Sequence, residues 1–492
     1  MVLHAAVTVD LGVDTGQNFG SLFEAKDPHG RVVFGAGYLG AFNTDGRSDR
    51  RALHVYLRPP GVEIEDKVEQ LPRVNSDGGV YLYAQNGSLY AKSRDGNDTD
   101  LRIWDEAAGI WRIDKTVDPL GEVIGDGLLT VDAQQITYRG QPVVTLEPKA
   151  GRIAESYVAN GVIIYRRTNP GAKPFVNELI AQPWDPAEPE SVDPSRAAVL
   201  QLRLSVEFLY GRGQRGDETL VTTNCGGVHV FDGKTWRSLN EPDVGPDGKV
   251  QTSFQVYTAV NHYDALLLGQ YPTGELFRYA GDDLELLKGW PPVMPGVSTS
   301  ARETQSTAIY GGELYVGVWP WAEVWRHDGS DWRLAKRVFT HPEITDATTH
   351  PYEEETGALG EVFNLWGQRV SGLVPFGDAL FIATSAKGTS PYEPRFSFLD
   401  GDRWKEYGAV YRLRRPGNLT VATGWRKKAT RFEIIVSDAS ITVLQDGEQI
   451  GSTDLPEGFA DGLTLGAVEW GTGIYGPLRG RIVSSEMEPA DR

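Results

Sequence analysis

The stretch VHVFDGKTW, residues 228–236, decides the fold because variants of it recur along the chain. They read ELFRYAGDDL at 275–284, EVWRHDGSDW at 323–332 and FSFLDGDRW at 396–404. Each combines a short apolar strand with an Asp-Gly or Gly-Asp turn, and most end on an aromatic residue. The first three copies follow one another about every 46 to 48 residues, and the fourth comes one such period later once an insertion of about 26 residues is discounted. A period of this length, built from strands and turns, is typical of a β-propeller, a ring of four-stranded blades.

The repeats align on the second strand of each blade, an apolar run that in several repeats follows a tight turn of the Asp-Gly, Asn-Gly or Gly-Gly kind. Eight such runs begin at Arg31, Ser88, Leu128, Gly161, Glu218, Ala265, Glu313 and Ala379. The third predicted blade, at about residues 118–150, is short, and the first run suits a strand that only closes the ring. The sequence therefore predicts an all-β protein containing a seven- or eight-bladed β-propeller.

The repeat pattern ends at Pro416-Gly417. From there to residue 487 apolar and polar residues alternate in strands joined by turns such as Asp446-Gly447. We therefore expect a propeller over residues 1–415 and a separate antiparallel β unit over residues 418–487. The last strands of this unit resemble those of laminin-G or concanavalin-like jelly rolls, and that resemblance implies a structural cap or a sugar-binding module.

The composition argues against several classes of function. A net charge of −19 disfavours binding to nucleic acid or to an anionic membrane surface. No apolar run approaches the roughly 20 residues that a membrane-spanning helix needs. Cys225 is the single cysteine, and the sequence has neither metal-ligand spacing nor a phosphate-binding glycine loop, so we expect no cofactor. The first residues lack a signal-peptide pattern, which leaves a cytoplasmic or a mature secreted protein open, and nothing indicates the oligomeric state.

In a propeller, the first strands begin and the second strands end on the same face of the ring. We call this face the mouth. Aligned blades place there Gln255, Tyr257, Gln270, Tyr271, Arg302, Gln305, Trp319, Trp321, Gln368, Arg369 and Lys387, whereas His262 falls on the opposite face.

Arginine, glutamine and aromatic residues thus dominate the predicted mouth. Guanidinium groups bind carboxylates bidentately, and aromatic rings stack on the apolar faces of sugars. The composition therefore indicates an acidic oligo- or polysaccharide as the partner. In the alternative interpretation, Arg302 and Arg369 pair with neighbours such as Glu303, while Trp319 and Trp321 pack between blades.

An insertion of about 26 residues, Thr340–Leu365, separates the last two blades and falls on the mouth side. Structureless insertions of this length in compact folds are usually functional lids or disordered. His350 lies in this segment, and a histidine there suits proton transfer because its ordinary pKa is near neutrality.

The blade architecture and the mouth residues resemble the propeller polysaccharide lyases that act on uronic-acid glycans, such as the ulvan lyases. The resemblance implies β-elimination, in which Arg302, Arg369, Gln305 and Gln368 neutralise the uronate. It also implies that Tyr257, Tyr271 or His350 supplies the base and the acid. Gln255, Gln270, Trp319, Trp321 and Lys387 would bind the substrate.

Two other functions fit the same residues. A glycoside hydrolase needs two carboxyl groups, which Glu303 together with Glu207 or a glutamate of the insertion would supply. A propeller that binds a glycan or a protein without catalysis needs only the aromatic residues and the arginines of the mouth.

Overall fold

The computed structural model shows a protein built almost entirely from antiparallel β-sheets. It describes residues 2–16, 18–62, 64–74, 78–94, 98, 100–116, 121–190, 192–246, 249–252, 254–294, 301–344, 350–361, 365–386 and 393–490. The all-β propeller class predicted from the repeat is confirmed. Seven four-stranded blades are present in these ranges, the lower of the two predicted numbers.

The blades follow one another along the chain, each with its first strand innermost. Blade 1 has strands Val80–Gln85, Ser88–Ser93, Arg102–Asp105 and Ile110–Ile113; blade 2 has Glu122–Ile124, Gly127–Val131, Gln135–Tyr138 and Gln141–Thr145; blade 3 has Arg152–Ala159, Val162–Asn169, Val176–Pro183 and Ala198–Gln201; blade 4 has Leu209–Arg215, Glu218–Thr223, Val228–Phe231 and Trp236–Asn240; blade 5 has Gln255–His262, Ala265–Tyr271, Leu276–Tyr279 and Leu284–Leu287; blade 6 has Glu303–Tyr310, Glu313–Trp319, Glu323–His327 and Trp332–Arg337.

Blade 7 closes the ring with strands from two distant parts of the chain. Its strands Arg369–Phe376, Ala379–Ser385 and Val410–Arg414 are followed at the outer edge by Lys67–Gln70, which precedes blade 1 in the sequence. Buried apolar clusters join blades 2 and 3, 3 and 4, 4 and 5, 5 to 7, and 7 and 1. These contacts hold the ring together.

Two five-stranded sheets pack face to face outside the ring and form a β-sandwich. One sheet has the order Glu448–Asp454, Ser440–Gln445, Thr430–Val436, Val2–Asp10 and Arg481–Ala490; the other has the order Asn418–Ala422, Ala52–Leu57, Val32–Tyr38, Gly20–Lys26 and Ala467–Trp470. Leu22, Phe34, Ile434 and Val443 are among the buried side chains between the sheets.

The predicted domain boundaries are therefore wrong at the N-terminal end. The strands within residues 2–38 and 52–57 belong to the sandwich and not to a propeller over 1–415, and residues 418–487 are only part of the second unit. The first predicted blade strand, Val32–Tyr38, lies in the sandwich between Ala52–Leu57 and Gly20–Lys26. Local alternation cannot distinguish these strands from blade strands, because it does not encode which strands pair.

A short hairpin from the N-terminal segment fills the centre of the ring. In this plug, residues 41–47, the strand Ala41–Asn43 pairs antiparallel with blade 5, and Gly46–Arg47 pairs parallel with blade 1. The Asn43 amide donates to the Thr307 carbonyl at 3.0 Å, and its oxygen accepts from the Thr307 backbone N–H at 2.7 Å. The plug thereby links inner strands across the channel.

The face opposite the mouth is covered by the sandwich. The Tyr263 N–H, in the hairpin after the first strand of blade 5, donates to the Ile474 carbonyl at 3.1 Å. The Gly161 N–H of blade 3 donates likewise to Thr15 at 3.1 Å. His262 pairs with Ala265 at this end of blade 5, as the alignment predicts.

The remaining elements are short. They comprise the α-helix Pro351–Ala358, the ribbon of Asp243–Val244 with Val250–Thr252, and the 3₁₀ turns Pro148–Ala150, Pro194–Arg196, Ser397–Leu399 and Arg403–Glu406. Across the described ranges, no helix has the length and apolar character that crossing a membrane would require.

The sandwich predicts how fragments of the chain behave. A fragment of residues 418–490 lacks Val2–Asp10, the strand that lies between Thr430–Val436 and Arg481–Ala490, so we expect it to be unfolded alone. Adding a fragment of residues 1–60 should restore β structure, measured by far-ultraviolet circular dichroism. Cooperative unfolding of the 418–490 fragment by itself would contradict this assignment.

Candidate functional site

Strand pairing places many of the predicted site residues at the mouth end of blades 5, 6 and 7. Gln255 pairs with Tyr271 in blade 5, and Glu303 pairs with Trp319 in blade 6. Arg369 pairs with Ser385 in blade 7. Although these residues share one end of the ring, they form three separate groups with different environments.

The first group surrounds the channel, and Glu303 is its centre. The Arg369 guanidinium and the Gln305 amide both donate to the Glu303 carboxylate. The Tyr257 hydroxyl donates to the Gln255 amide oxygen and lies 3.3 Å from the same carboxylate. Glu303 is 0% exposed and Arg369 only 2%, so the positive charge of Arg369 is already neutralised inside the protein.

An aromatic pair extends this group toward the solvent. The Tyr210 ring lies 4.9 Å from the Tyr257 ring, and the Phe208 ring lies 5.1 Å from Tyr210, edge to face. Phe208 is 38% exposed. Neither residue is among those predicted from the sequence, although Tyr210 lies at the start of the first strand of blade 4, a position that the same blade alignment places at the mouth.

Two further ion pairs occupy the mouth end of blades 1 and 3. The Arg94 guanidinium donates to Asp45 of the plug at 2.8 Å. Arg166 is buried and binds Glu155, with one of its bonds at 3.0 Å. The arginines named around the channel mouth therefore form ion pairs with carboxylates of the protein itself.

The second group lies between blades 5 and 6. Arg302 is 1% exposed; it donates to the Pro292 carbonyl at 2.9 Å and lies 3.5 Å from the Glu323 carboxylate. The Gln270 amide donates to the Thr273 hydroxyl, and Tyr271 is half-buried beside them. Arg302 is consequently buried and bonded within the protein. It is not, as the sequence resemblance implies, exposed to bind an acidic sugar.

The third group lies between blades 6 and 7 and is also buried. Trp319 and Trp321 belong to the largest apolar cluster of the propeller. The Gln368 amide donates to the His341 carbonyl at 2.6 Å, and its oxygen accepts from Arg337 at 3.2 Å. These residues join two blades, as the alternative interpretation predicts for the tryptophans. Lys387 lies outside the described residues.

The insertion packs onto the propeller through its helix. His350 caps Pro351–Ala358, because its Nδ1 accepts the Tyr352 backbone N–H at 3.2 Å, and its ring lies 4.2 Å from that of Trp321. The Tyr352 ring stacks on Phe398 at 3.8 Å. His350 is fully buried and therefore does not face a ligand at the mouth.

Burial also moves the relevant pKa values away from neutrality. It raises the pKa of Tyr257 far above its usual value, and the adjacent Glu303 carboxylate raises it further. Burial lowers the pKa of His350 to about 3, with help from the positive charge of Arg337. At neutral pH both side chains are uncharged, so Tyr257 is a poor base.

The carboxylates considered for a hydrolase are engaged elsewhere. Glu207 accepts from the Leu204 N–H at 2.8 Å and from the Thr223 hydroxyl at 3.0 Å, which fixes its own loop. Glu355 of the insertion accepts from the Ser397 hydroxyl at 2.7 Å. In the part of the chain that the structure describes, no cluster of three or more His, Cys, Asp or Glu side chains suits a metal ion.

No known family and no curated protein matches the sequence. Among solved structures, the computationally designed protein Ika8 aligns with a TM-score of 0.37 and 12% identity, over 71% of this chain and 100% of that one. BamB from Moraxella catarrhalis aligns with a TM-score of 0.33 and 11% identity, over 77% and 97% of the two chains.

A sialidase from Trypanosoma rangeli, solved with the inhibitor DANA, aligns with a TM-score of 0.24 and 11% identity, over 97% of this chain and 95% of that one. These similarities are too remote to support any inference about function.

The environment of Arg302 predicts the effect of removing its charge. Arg302→Met removes the nearest cation from the buried Glu323 carboxylate and should lower the free energy of unfolding by about 3–5 kcal/mol. The exposed pair Arg203–Glu241 supplies the control: Arg203→Met should change stability by about 0–1 kcal/mol. Urea unfolding measures the stability of both variants. Equally small stability losses in the two would show that Arg302 has no structural role and is free to bind a ligand.

The buried histidine predicts a pH dependence of stability. His350 takes up a proton below its ordinary pKa of 6.5 in the unfolded chain but only below about 3 when folded, so stability falls as the pH falls through this window. His350→Gln should make the stability curve shallower by up to about 1.4 kcal/mol per pH unit. Urea unfolding at several pH values measures the slopes, and the surface variant His29→Gln is the control. An unchanged slope in His350→Gln would show that His350 is not held neutral.

Proposed function

We propose that the protein recognises a carbohydrate at the mouth, using the aromatic pair Phe208 and Tyr210 as a stacking platform. The exposed Phe208 ring carries this proposal, because it stands at the edge of the channel beside a polar network instead of packing inside a blade. Aromatic rings stack on the apolar faces of sugar rings, while nearby amides and carboxylates bind the hydroxyl groups.

The polar network beside the platform suits hydroxyl groups. Gln255 and Tyr210 are half-buried and border the solvent, whereas Tyr257, Gln305 and Glu303 lie below them. Bonds among these buried groups hold the half-buried side chains in place, and such preorganisation reduces the entropy that binding costs. This arrangement suits a small patch that binds the hydroxyl groups of a sugar better than it suits a charged cleft that binds an acidic one.

The charge balance favours a neutral sugar and recognition without β-elimination. A lyase needs a cation for the uronate and a base for the adjacent proton. Arg369 is bound to Glu303, Arg302 lies beside Glu323, and the pKa of Tyr257 is raised by burial and by Glu303. A uronate at the mouth would also approach the Glu303 carboxylate. The acidic glycan predicted from the sequence is therefore the less favoured partner.

The proposal is tested by binding neutral and uronic polysaccharides to the wild type, to Phe208→Ala and to Tyr210→Ala, with calorimetry or affinity electrophoresis. Loss of a stacking contact should weaken binding about tenfold, which corresponds to about 1.4 kcal/mol. Leu334→Ala, at an equally exposed position on the outer strand of blade 6, should bind as the wild type does. Equal affinity of Phe208→Ala and the wild type for every glycan would overturn the proposal.

The same incubations separate binding from catalysis. Ultraviolet absorbance of an unsaturated uronate appears only if the protein is a lyase, and new reducing ends without that absorbance appear only if it is a hydrolase. We expect neither. Unsaturated product that is lost in Arg369→Ala would instead establish the lyase that the sequence resemblance implies.

A further inference from the structure

A chamber lies deeper in the ring than the mouth group. It is a cavity of about 110 Å³ bounded by the plug, the inner strands of blades 1 to 5 and the start of the sandwich. A buried water needs roughly 10–15 Å³ on the same measure, so the chamber has room for a small ligand. It shares no lining residue with the aromatic platform.

Four arginines line this chamber: Arg47, Arg50, Arg51 and Arg212. Two of them are already paired, since Arg50 and Arg51 both bind the buried Asp14 carboxylate, Arg51 at 2.7 Å. Burial opposes ionisation of Asp14, yet the two guanidinium groups lower its pKa to about 2. Asp14 thus supplies the counter-charge for both of these arginines.

The other two arginines have no carboxylate partner within 4 Å among the residues that the structure describes. Arg47 donates to the Gln85 amide oxygen at 2.9 Å and lies over the Tyr83 ring. Arg212 donates to the Ser156 carbonyl and lies between the Phe42 and Tyr157 rings, at 4.7 and 5.3 Å from their centroids. Both guanidinium groups therefore line the cavity without an acidic partner in contact in the described part of the chain.

The acidic groups near the chamber do not cancel this charge. Asp49 accepts the backbone N–H groups of Arg51 and Asn86 at 3.0 and 2.7 Å, and Glu122 lies 4.0 Å from Arg50. With Asp14 included, four guanidinium groups face three carboxylates. The chamber therefore keeps one positive charge without a carboxylate, in a chain whose net charge is −19, and an anion is the ligand that this charge favours.

Two buried polar atoms in the wall also lack a partner in the described structure. Ser48 Oγ and Arg51 Nε make no hydrogen bond, although Ser48 is only 7% and Arg51 only 8% exposed. Leaving a buried polar group unpaired costs about 1–3 kcal/mol, so such atoms usually have a bound partner. Ser48 lines the chamber, and its unpartnered hydroxyl is a second observation, independent of the charge, that points to an occupant.

We propose that the chamber binds a small oxyanion, a phosphate group or a short carboxylate, held by Arg47 and Arg212 with Ser48 as a hydroxyl donor. Arginine suits both chemistries because its planar fork matches their paired oxygens. Arg47, Tyr157 and Arg212 are each partly exposed, which gives the chamber an opening to solvent. This site is independent of carbohydrate recognition at the mouth.

The test measures thermal unfolding and calorimetric binding with inorganic phosphate, sulfate, succinate and, at equal ionic strength, chloride. We expect phosphate and sulfate, or succinate, to raise the melting temperature beyond the chloride baseline, because a ligand that binds only the folded state stabilises it. Binding of the tetrahedral ions alone assigns a phosphate-type ligand, and binding of succinate alone assigns a carboxylate.

Variants tie the effect to the chamber. Arg47→Gln and Arg212→Gln should each weaken binding at least tenfold, whereas Arg152→Gln, an exposed arginine of blade 3, should bind as the wild type does. If Arg212→Gln does not fold, Arg212→Lys keeps the charge, loses the planar fork and should still weaken binding measurably. Stabilisation no greater than that by chloride, or equal in the wild type and in both chamber variants, would overturn the proposal.

Discussion

One strand determines how the whole chain is arranged. Val2–Asp10 lies inside a sheet of C-terminal strands, with Thr430–Val436 on one side and Arg481–Ala490 on the other. The two ends of the chain therefore meet in one sandwich, and the propeller is inserted between them. Deleting either end would expose apolar side chains that are now buried between the sheets. The free energy gained from burying them would be lost, and the sandwich would be destabilised.

This arrangement also explains why the channel is divided. The chain leaves the sandwich after Val32–Tyr38 and passes through the ring centre as the plug, residues 41–47, before it returns to Ala52–Leu57. The plug pairs with blades 1 and 5, bonds to Thr307 of blade 6 and leaves a cavity that blades 1 to 5 border. The plug thus divides the channel into the aromatic mouth and the chamber lined by arginines. Their charges differ because the mouth arginines have acidic partners and two chamber arginines do not.

The sequence could predict the features that local pattern encodes. Alternation and turn chemistry identify the strands from Ser88 to Ala379, and a blade's up-and-down order then places Arg369 and Tyr257 at the same end of the ring. Pairing between the two ends of the chain was not predictable, because the alternation of apolar and polar residues in a strand does not specify which other strand it pairs with. Whether Arg369 meets Glu303 or a ligand depends equally on packing between blades, which one sequence does not specify.

The account of the mouth depends on the ion pair between Arg369 and Glu303, which leaves Arg369 unable to bind an acidic ligand. A double-mutant cycle tests this pair most directly. Stabilities would be measured by urea unfolding for the wild type, Arg369→Leu, Glu303→Leu and the double variant. Each single change leaves a buried charge or polar group without its partner, whereas the double change removes both. We predict that the double variant is no less stable than either single variant. Losses that simply add would contradict the account and free Arg369 to bind an acidic ligand.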